Sequence, residues 1–338
     1  MPSRRLLPLV TLSAAALVLS ACGTTDTSPE EATAEPGQDG LEVVVGFYPL
    51  EFATTRIVGD LATVQTLTSP GVDPHDVELS PRSVASVQAA DLVIHSSGLQ
   101  TAVDEAVAQQ AADHSLDVNE AADLVDTGGA DDHDHDHPED THSDDDHSDD
   151  DHSDDEHADD EHAHGDDDPH FWLDPQRMAT VSQAIADRLA EVDPDNAAAY
   201  QDNAEALLGE LTDLDAAYSE GLSSCEQEDM VTTHSAFGYV ALNHGFHQIG
   251  ITGVTPDAEP SPARLAEITE IVRETGVDTI YAEVLLGADI AETVAGETGA
   301  QVLVLDPLEG ITDASPGTDY LEVMEANLDV LREGQHCA

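Results

Sequence analysis

No lysine occurs among the 338 residues, and the nine basic side chains, all arginine, stand against 72 acidic ones for a formal charge of −63. A surface so poor in cations cannot neutralise phosphates, which argues against a nucleic-acid binder and against electrostatic docking to anionic lipid. Long apolar runs are missing after the first twenty residues, so no later segment is expected to span a bilayer. No HExxH segment is present either, which removes the familiar zinc-hydrolase helix. The acidity is global: setting aside the 21 acids of residues 131–168 still leaves −42 of the −63. Such a surface suits high salt and attracts cations, within a screening length of about 8 to 10 Å.

Histidine, by contrast, is concentrated. Residues 131–168 carry nine of the 17 histidines, His133, His135, His137, His142, His147, His152, His157, His162 and His164, with no arginine and nothing more apolar than alanine. Five of them, from His142 to His162, recur every fifth residue. That step advances a helix by about 140° and is odd for a strand, so neither structure gathers the imidazoles on one face. The tract cannot offset its ordering entropy by burial and reads as a disordered loop. Neutral imidazole suits transition metals, so the tract is read as a flexible accessory collector with weak metal sites. The plainer alternative is an acidic solubilising linker.

The N-terminus carries Arg4 and Arg5, a short apolar run, and then Leu19-Ser20-Ala21-Cys22. This describes an export signal too short to span a membrane. It resembles a bacterial lipobox, which implies a lipoprotein signal peptide over residues 1–21, lipidation of Cys22 and anchoring at the extracytoplasmic face of the cell membrane. Residues 22–40 are then expected to form a flexible linker. In that oxidising compartment the two remaining thiols, Cys225 and Cys337, are expected to form a disulfide, with a free pair as the alternative.

From Leu41 the chain alternates between β-rich runs (LEVVV, DLVIH, DMVTT, DTIYAEV, QVLVL) and amphipathic helical segments, as in parallel α/β sheets. A long alanine-rich stretch, residues 194–220, reads as a helix tying two lobes together. The lobes are placed at residues 41–193, containing the loop 131–168, and at residues 221–338. Four potential metal ligands follow expected strand ends: His75 in GVDPHDVELSP, His170 in DPHFWLDP, His234 in VTTHSAFGYV and Asp306 in VLVLDPLEG. Ligands gather at the carboxyl ends of strands in open α/β sheets. Taken singly, each has a plainer reading: a turn cap for His75, the end of the tract for His170, a packed core residue for His234, and a turn former for Asp306 before Pro307.

These segments, with FYPLEFATTRIVGD, ADLVIHSSGLQ and TPDAEPSPARLAEI, resemble the cluster A-I (cluster 9) metal-binding receptors of ABC transporters, from about Leu41 to the C-terminus. The resemblance implies two α/β lobes joined by a single long rigid helix, with one metal ion held in the interlobe cleft by His75, His170, His234 and Asp306. It also implies a monomer that hands its ion to a membrane permease driven by an ATPase. Three imidazoles and one carboxylate suit Zn²⁺, and a histidine at the third position disfavours Mn²⁺, which prefers oxygen donors. Four protein ligands leave no open position for water, so a holding site is expected and not an enzyme. Alternatives are a manganese receptor of the same family and a zinc-buffering or adhesin lipoprotein. Glu259 and Glu283 are expected beside the site at most, Trp172 and Tyr239 to pack near it, and His95, His114, His244, His247 and His336 to lie outside it.

Overall fold

The computed structural model describes residues 40–128, 167–256 and 259–338. Cys22, the expected signal peptide and nearly all of the linker lie outside these residues, as do all nine tract histidines. Among the described residues no helix is long and apolar enough to cross a membrane.

The first sheet is built from β1 (Leu41–Val45), β2 (Ala62–Thr66), β3 (Leu92–His95) and β4 (Ser115–Asp117), all parallel, in the order β2-β1-β3-β4. Helices α1 (Tyr48–Val58), α2 (Pro81–Ala89), α3 (Thr101–Gln110) and the short α4 (Asn119–Ala122) connect and follow its strands. After a single 3-10 turn, Phe171–Leu173, come α5 (Pro175–Val192) and α6 (Ala197–Gly221). The second sheet repeats the plan with β5 (Asp229–Thr232), β6 (His247–Gly250), β7 (Thr279–Glu283) and β8 (Gln301–Leu305), parallel and ordered β6-β5-β7-β8. Its helices are α7 (Gly238–His244), α8 (Pro262–Thr275), α9 (Asp289–Thr298) and α10 (Tyr320–Gly334).

Several helix starts are written locally. Ser80, Asp174 and Ser261 each precede a proline, and each side chain accepts a backbone N–H of the first turn of α2, α5 or α8. Proline loses nothing there, because its missing N–H would have had no partner in the helix.

The inner strands β1 and β3 are apolar on both faces because both faces are covered. In β1, Val43 and Val45 enter a core that runs through both lobes, whereas Val44 points to the opposite face with Val87, Val93 and Val103. The shared core continues through Phe47, Trp172, Leu211, Tyr281, Leu305 and Tyr320. Helix α6 buries Tyr200, Ala204, Leu207, Leu211, Leu214 and Tyr218, a stripe at alternating steps of four and three. It packs along α1 and α5 and meets α10 of the second lobe. At about 1.5 Å per residue, its 25 residues make a rod of roughly 37 Å. Polar pins add direction to this contact: Trp172 Nε1 donates to Pro307 O at 2.8 Å, and Tyr320 Oη donates to Trp172 O. At the far end of the second lobe Cys225 and Cys337 form the expected disulfide.

Candidate metal centre

His75 lies in the loop after β2, His170 just before the 3-10 turn, and His234 two residues past β5. Their Nε2 atoms converge. His170 Nε2 lies 3.4 Å from His75 Nε2 and 3.4 Å from His234 Nε2. The fourth member of the group is Glu309, whose Oε1 stands 3.2 Å from His75 Nε2 and 3.4 Å from each of the other two. These are five of the six separations, and a tetrahedron with edges of that length has its corners about 2.0 to 2.1 Å from its centre, the Zn–N and Zn–O bond length. Neither oxygen of Glu309 has a hydrogen-bond partner, although the side chain is buried. With only imidazole nitrogens facing Oε1, such a buried carboxylate is completed by a cation at the centre.

Asp306, expected as the fourth ligand, is not in the group. Its backbone N–H and C=O are both held by the Asn327 side chain of α10, and its Oδ1 accepts Leu308 N at 2.8 Å. This side-chain turn carries Leu308 through a left-handed conformation, φ 59°, and the chain reverses. Glu309 is the residue that meets the three imidazoles. Asp306 is thus the turn former that its place before Pro307 suggested. The sequence signal for Glu309 is present in DPLEG, a carboxylate following a proline turn, but Asp306 offers the same group nearer the strand end.

Two further carboxylates orient the imidazoles. Asp168 Oδ1 accepts His170 Nδ1 at 2.7 Å, and Glu283 Oε2 accepts His234 Nδ1 at 2.5 Å. Glu283 Oε1 is itself held by Thr233 Oγ1 and His234 N. With each Nδ1 proton committed to a carboxylate, each neutral ring presents its Nε2 lone pair to the centre, and the anion behind it raises the ring's basicity. Glu283 therefore does what was expected of it. Asp168 corrects the tract boundary: although read as the last residue of the loop 131–168, it is buried and part of the site.

Burial opposes charge on His170, but Asp168 and Glu309 outweigh it and hold this imidazole above its ordinary value. For His234, burial is likewise overcome by Glu283 and Glu309, and the ring stands well above its usual range. Burial would also keep Glu309 protonated, yet the three imidazoles hold it well below the carboxylate range. The His170 and His234 rings therefore favour a proton more than a free imidazole does, and a cation entering the centre competes with protons for their nitrogens.

Other expectations resolve simply. Trp172 is buried with its ring edge-on to His170 at 5.2 Å, and Tyr239 is buried behind the site. Glu259 is exposed and outside the group. His95 pairs with Asp104, His114 and His244 are partly buried, and His247 and His336 face acids at the surface; none enters the centre.

Two parallel-sheet lobes enclosing three imidazoles and one carboxylate, with no ligand left to solvent, define a metal-holding α/β protein. The chain belongs to the family described as ZnuA, zinc-uptake complex component A, periplasmic, which it matches over residues 43–334. It is 35% identical over 298 residues to the zinc-binding lipoprotein AdcA of Streptococcus pneumoniae, covering 87% of this chain and 55% of that protein. The chain therefore spans about half the length of that relative. It is 33% identical to the high-affinity zinc uptake system protein ZnuA of Bacillus subtilis, covering 96% of both. The crystal structure of the Zn(II)-bound ZnuA-like domain of S. pneumoniae AdcA superposes with a TM-score of 0.69 at 32% identity, covering 88% of this chain and 99% of that one.

Proposed function

We propose that this protein is an extracytoplasmic receptor that captures Zn²⁺ at His75, His170, His234 and Glu309 and delivers it to an ABC permease and its ATPase for zinc uptake. The observation that carries the reading is the convergence of four ligand atoms, all within 4.8 Å of one another and five of their six separations 3.2–3.4 Å. Its size suits zinc, and its three nitrogen donors disfavour manganese, which takes harder oxygen ligands in larger coordination shells. A full set of protein ligands leaves no place for a reacting water, so the site holds metal and does not catalyse. The family's description as a component of an uptake complex, and the zinc-binding and zinc-uptake names of the relatives, agree with cargo capture.

The lipobox-like Leu19–Cys22 supports anchoring of a monomer to the membrane through Cys22. The tract histidines, His133 to His164, serve in this reading as weak accessory ligands outside the tight site. Metal analysis of protein purified without added metal, followed by chelator-competition titration, tests the proposal. One zinc per chain bound far more tightly than manganese is expected; a preference for manganese would refute it. Loss of growth under zinc limitation on gene deletion separates uptake from buffering or adhesion.

A further inference from the structure

Three chain segments meet behind His170. Asp168 is the hub: its Oδ1 accepts both His170 Nδ1 and His170 N, its Oδ2 accepts Thr127 Oγ1 at 2.8 Å, and its own N–H donates to Val125 O at 3.0 Å. The third segment comes from the other lobe. Tyr239 Oη donates to Asp168 O at 2.7 Å and accepts Val125 N at 3.2 Å, so one hydroxyl joins both strands of the hub. Arg177 lies over the Tyr239 ring at 4.7 Å and donates to Ala122 O and Asp123 O, which keeps the ring in place.

Gly238, one residue earlier, passes so close that a Cβ would overlap Thr127 Oγ1 and Asp168 Oδ2. Its φ lies outside the left-handed range, so space and not backbone conformation demands glycine here. The start of α7 is thereby seated directly against the carboxylate that aims a metal ligand.

We propose that Gly238 and Tyr239 of the second lobe are positioning residues for the bound metal, acting through Asp168 on His170. The proposal rests on the zinc reading of the centre. A carboxylate held on several sides fixes the ring it accepts from, and bonds to zinc tolerate deviations of only about 0.2 Å. Removing the Tyr239 hydroxyl releases the Asp168 backbone carbonyl, and a Cβ at Gly238 pushes on the Asp168 carboxylate itself; either displaces the group that His170 Nδ1 donates to, and His170 shifts with it, although all four ligands are still present. Drawing α7 away from the first lobe would loosen zinc by the same route, which gives a membrane partner a means of release that touches no ligand.

The test uses the full chain with Tyr239→Phe, Gly238→Ala, Thr127→Val and Thr127→Ser. The control is Tyr218→Phe, which removes another buried hydroxyl, donating to Met324 O at 2.8 Å, outside the centre. Zinc off-rates are read by stopped-flow chelator competition, and ligand geometry by the visible absorption of the Co²⁺ form. Substitutions behind a metal-bound histidine cost about 10- to 100-fold, so Tyr239→Phe is expected to release zinc about tenfold faster and Gly238→Ala faster still, both with an altered Co²⁺ band. Thr127→Val should follow them, while Thr127→Ser should keep the wild-type rate. Tyr218→Phe should lower the melting temperature alone.

Wild-type off-rates and spectra in Tyr239→Phe and Thr127→Val would overturn the proposal even if Gly238→Ala fails to fold. So would an equal acceleration by Tyr218→Phe, because general loosening would then explain the effect. Wild-type protein that takes up no zinc would instead refute the zinc reading, and this proposal with it.

Discussion

Glu309→Gln and Asp306→Asn, both near-isosteric, separate two carboxylates only three residues apart. Glu309 Oε1 supplies one corner of the tetrahedron and its single negative charge, 3.2–3.4 Å from three nitrogens. Structural zinc sites bind with about 10 to 16 kcal/mol in all, so one of four ligands accounts for roughly 2.5 to 4 kcal/mol. At about 1.4 kcal/mol per decade, Glu309→Gln is expected to weaken zinc by about two to three orders of magnitude. Asp306 is held in its turn by Leu308 N and Asn327, so Asp306→Asn can keep the accepting oxygen. Its zinc affinity should change by less than about one decade. Competition against a graded set of chelators measures both, with thermal melts of the metal-free proteins to show that each is folded. A larger loss in Asp306→Asn than in Glu309→Gln would refute the assignment of Glu309.

Acid should weaken zinc, because His170 and His234 bind protons more strongly than ordinary histidines and those protons compete for Nε2. Calorimetry in buffers of different ionisation enthalpy should show proton release on binding, most of it below the raised histidine values; zinc binding without proton release in mild acid would contradict this. The linkage has the opposite sign in metal-free protein: the raised histidines stabilise it fully below their ordinary value, and that stability is lost as pH rises through the raised one. Glu309, held low, contributes above the usual carboxylate range and loses its contribution as pH falls through its depressed value. Denaturant melts across pH, with and without zinc, check both signs. His234→Ala should cost more zinc affinity than deleting residues 131–166, a cut that spares Asp168; the reverse order by calorimetry would sink the centre as the tight site. Replacing Cys225 and Cys337 by serine should lower stability by up to about 4 to 5 kcal/mol on chain-entropy grounds while leaving zinc affinity unchanged. A matching loss of affinity would show that the far end of the second lobe is coupled to the metal.

Much of this was legible in the chain. The alternation of β-rich runs and amphipathic segments predicted two parallel sheets, because strands covered on both faces are apolar throughout and the helices between them carry a stripe. The alanine-rich helix expected over residues 194–220 runs Ala197–Gly221, with Pro194 in the turn ahead of it. Helix α7 begins only at Gly238, because Ser235 and Ala236 lie in the bend and turn that follow His234. The short β4 and α4 are too brief to show a period in the sequence.

Histidine content and the motifs around His75, His170 and His234 determined that the chain carries ligands for a transition metal, and the export-type N-terminus led to the expectation of a place outside the cytoplasm, since these follow from residue chemistry and local order. Which carboxylate completes the centre was decided only in three dimensions. Asp306 and Glu309 offer the same functional group, and the left-handed turn at Leu308, held by Asp306 and Asn327, selects the one that reaches the imidazoles. The same holds for Asp168, which looks like one more tract acid until Thr127, Tyr239 and His170 close around it. Sequence specifies which groups are available; the direction of each side chain is a long-range property, set by packing between segments far apart in the chain.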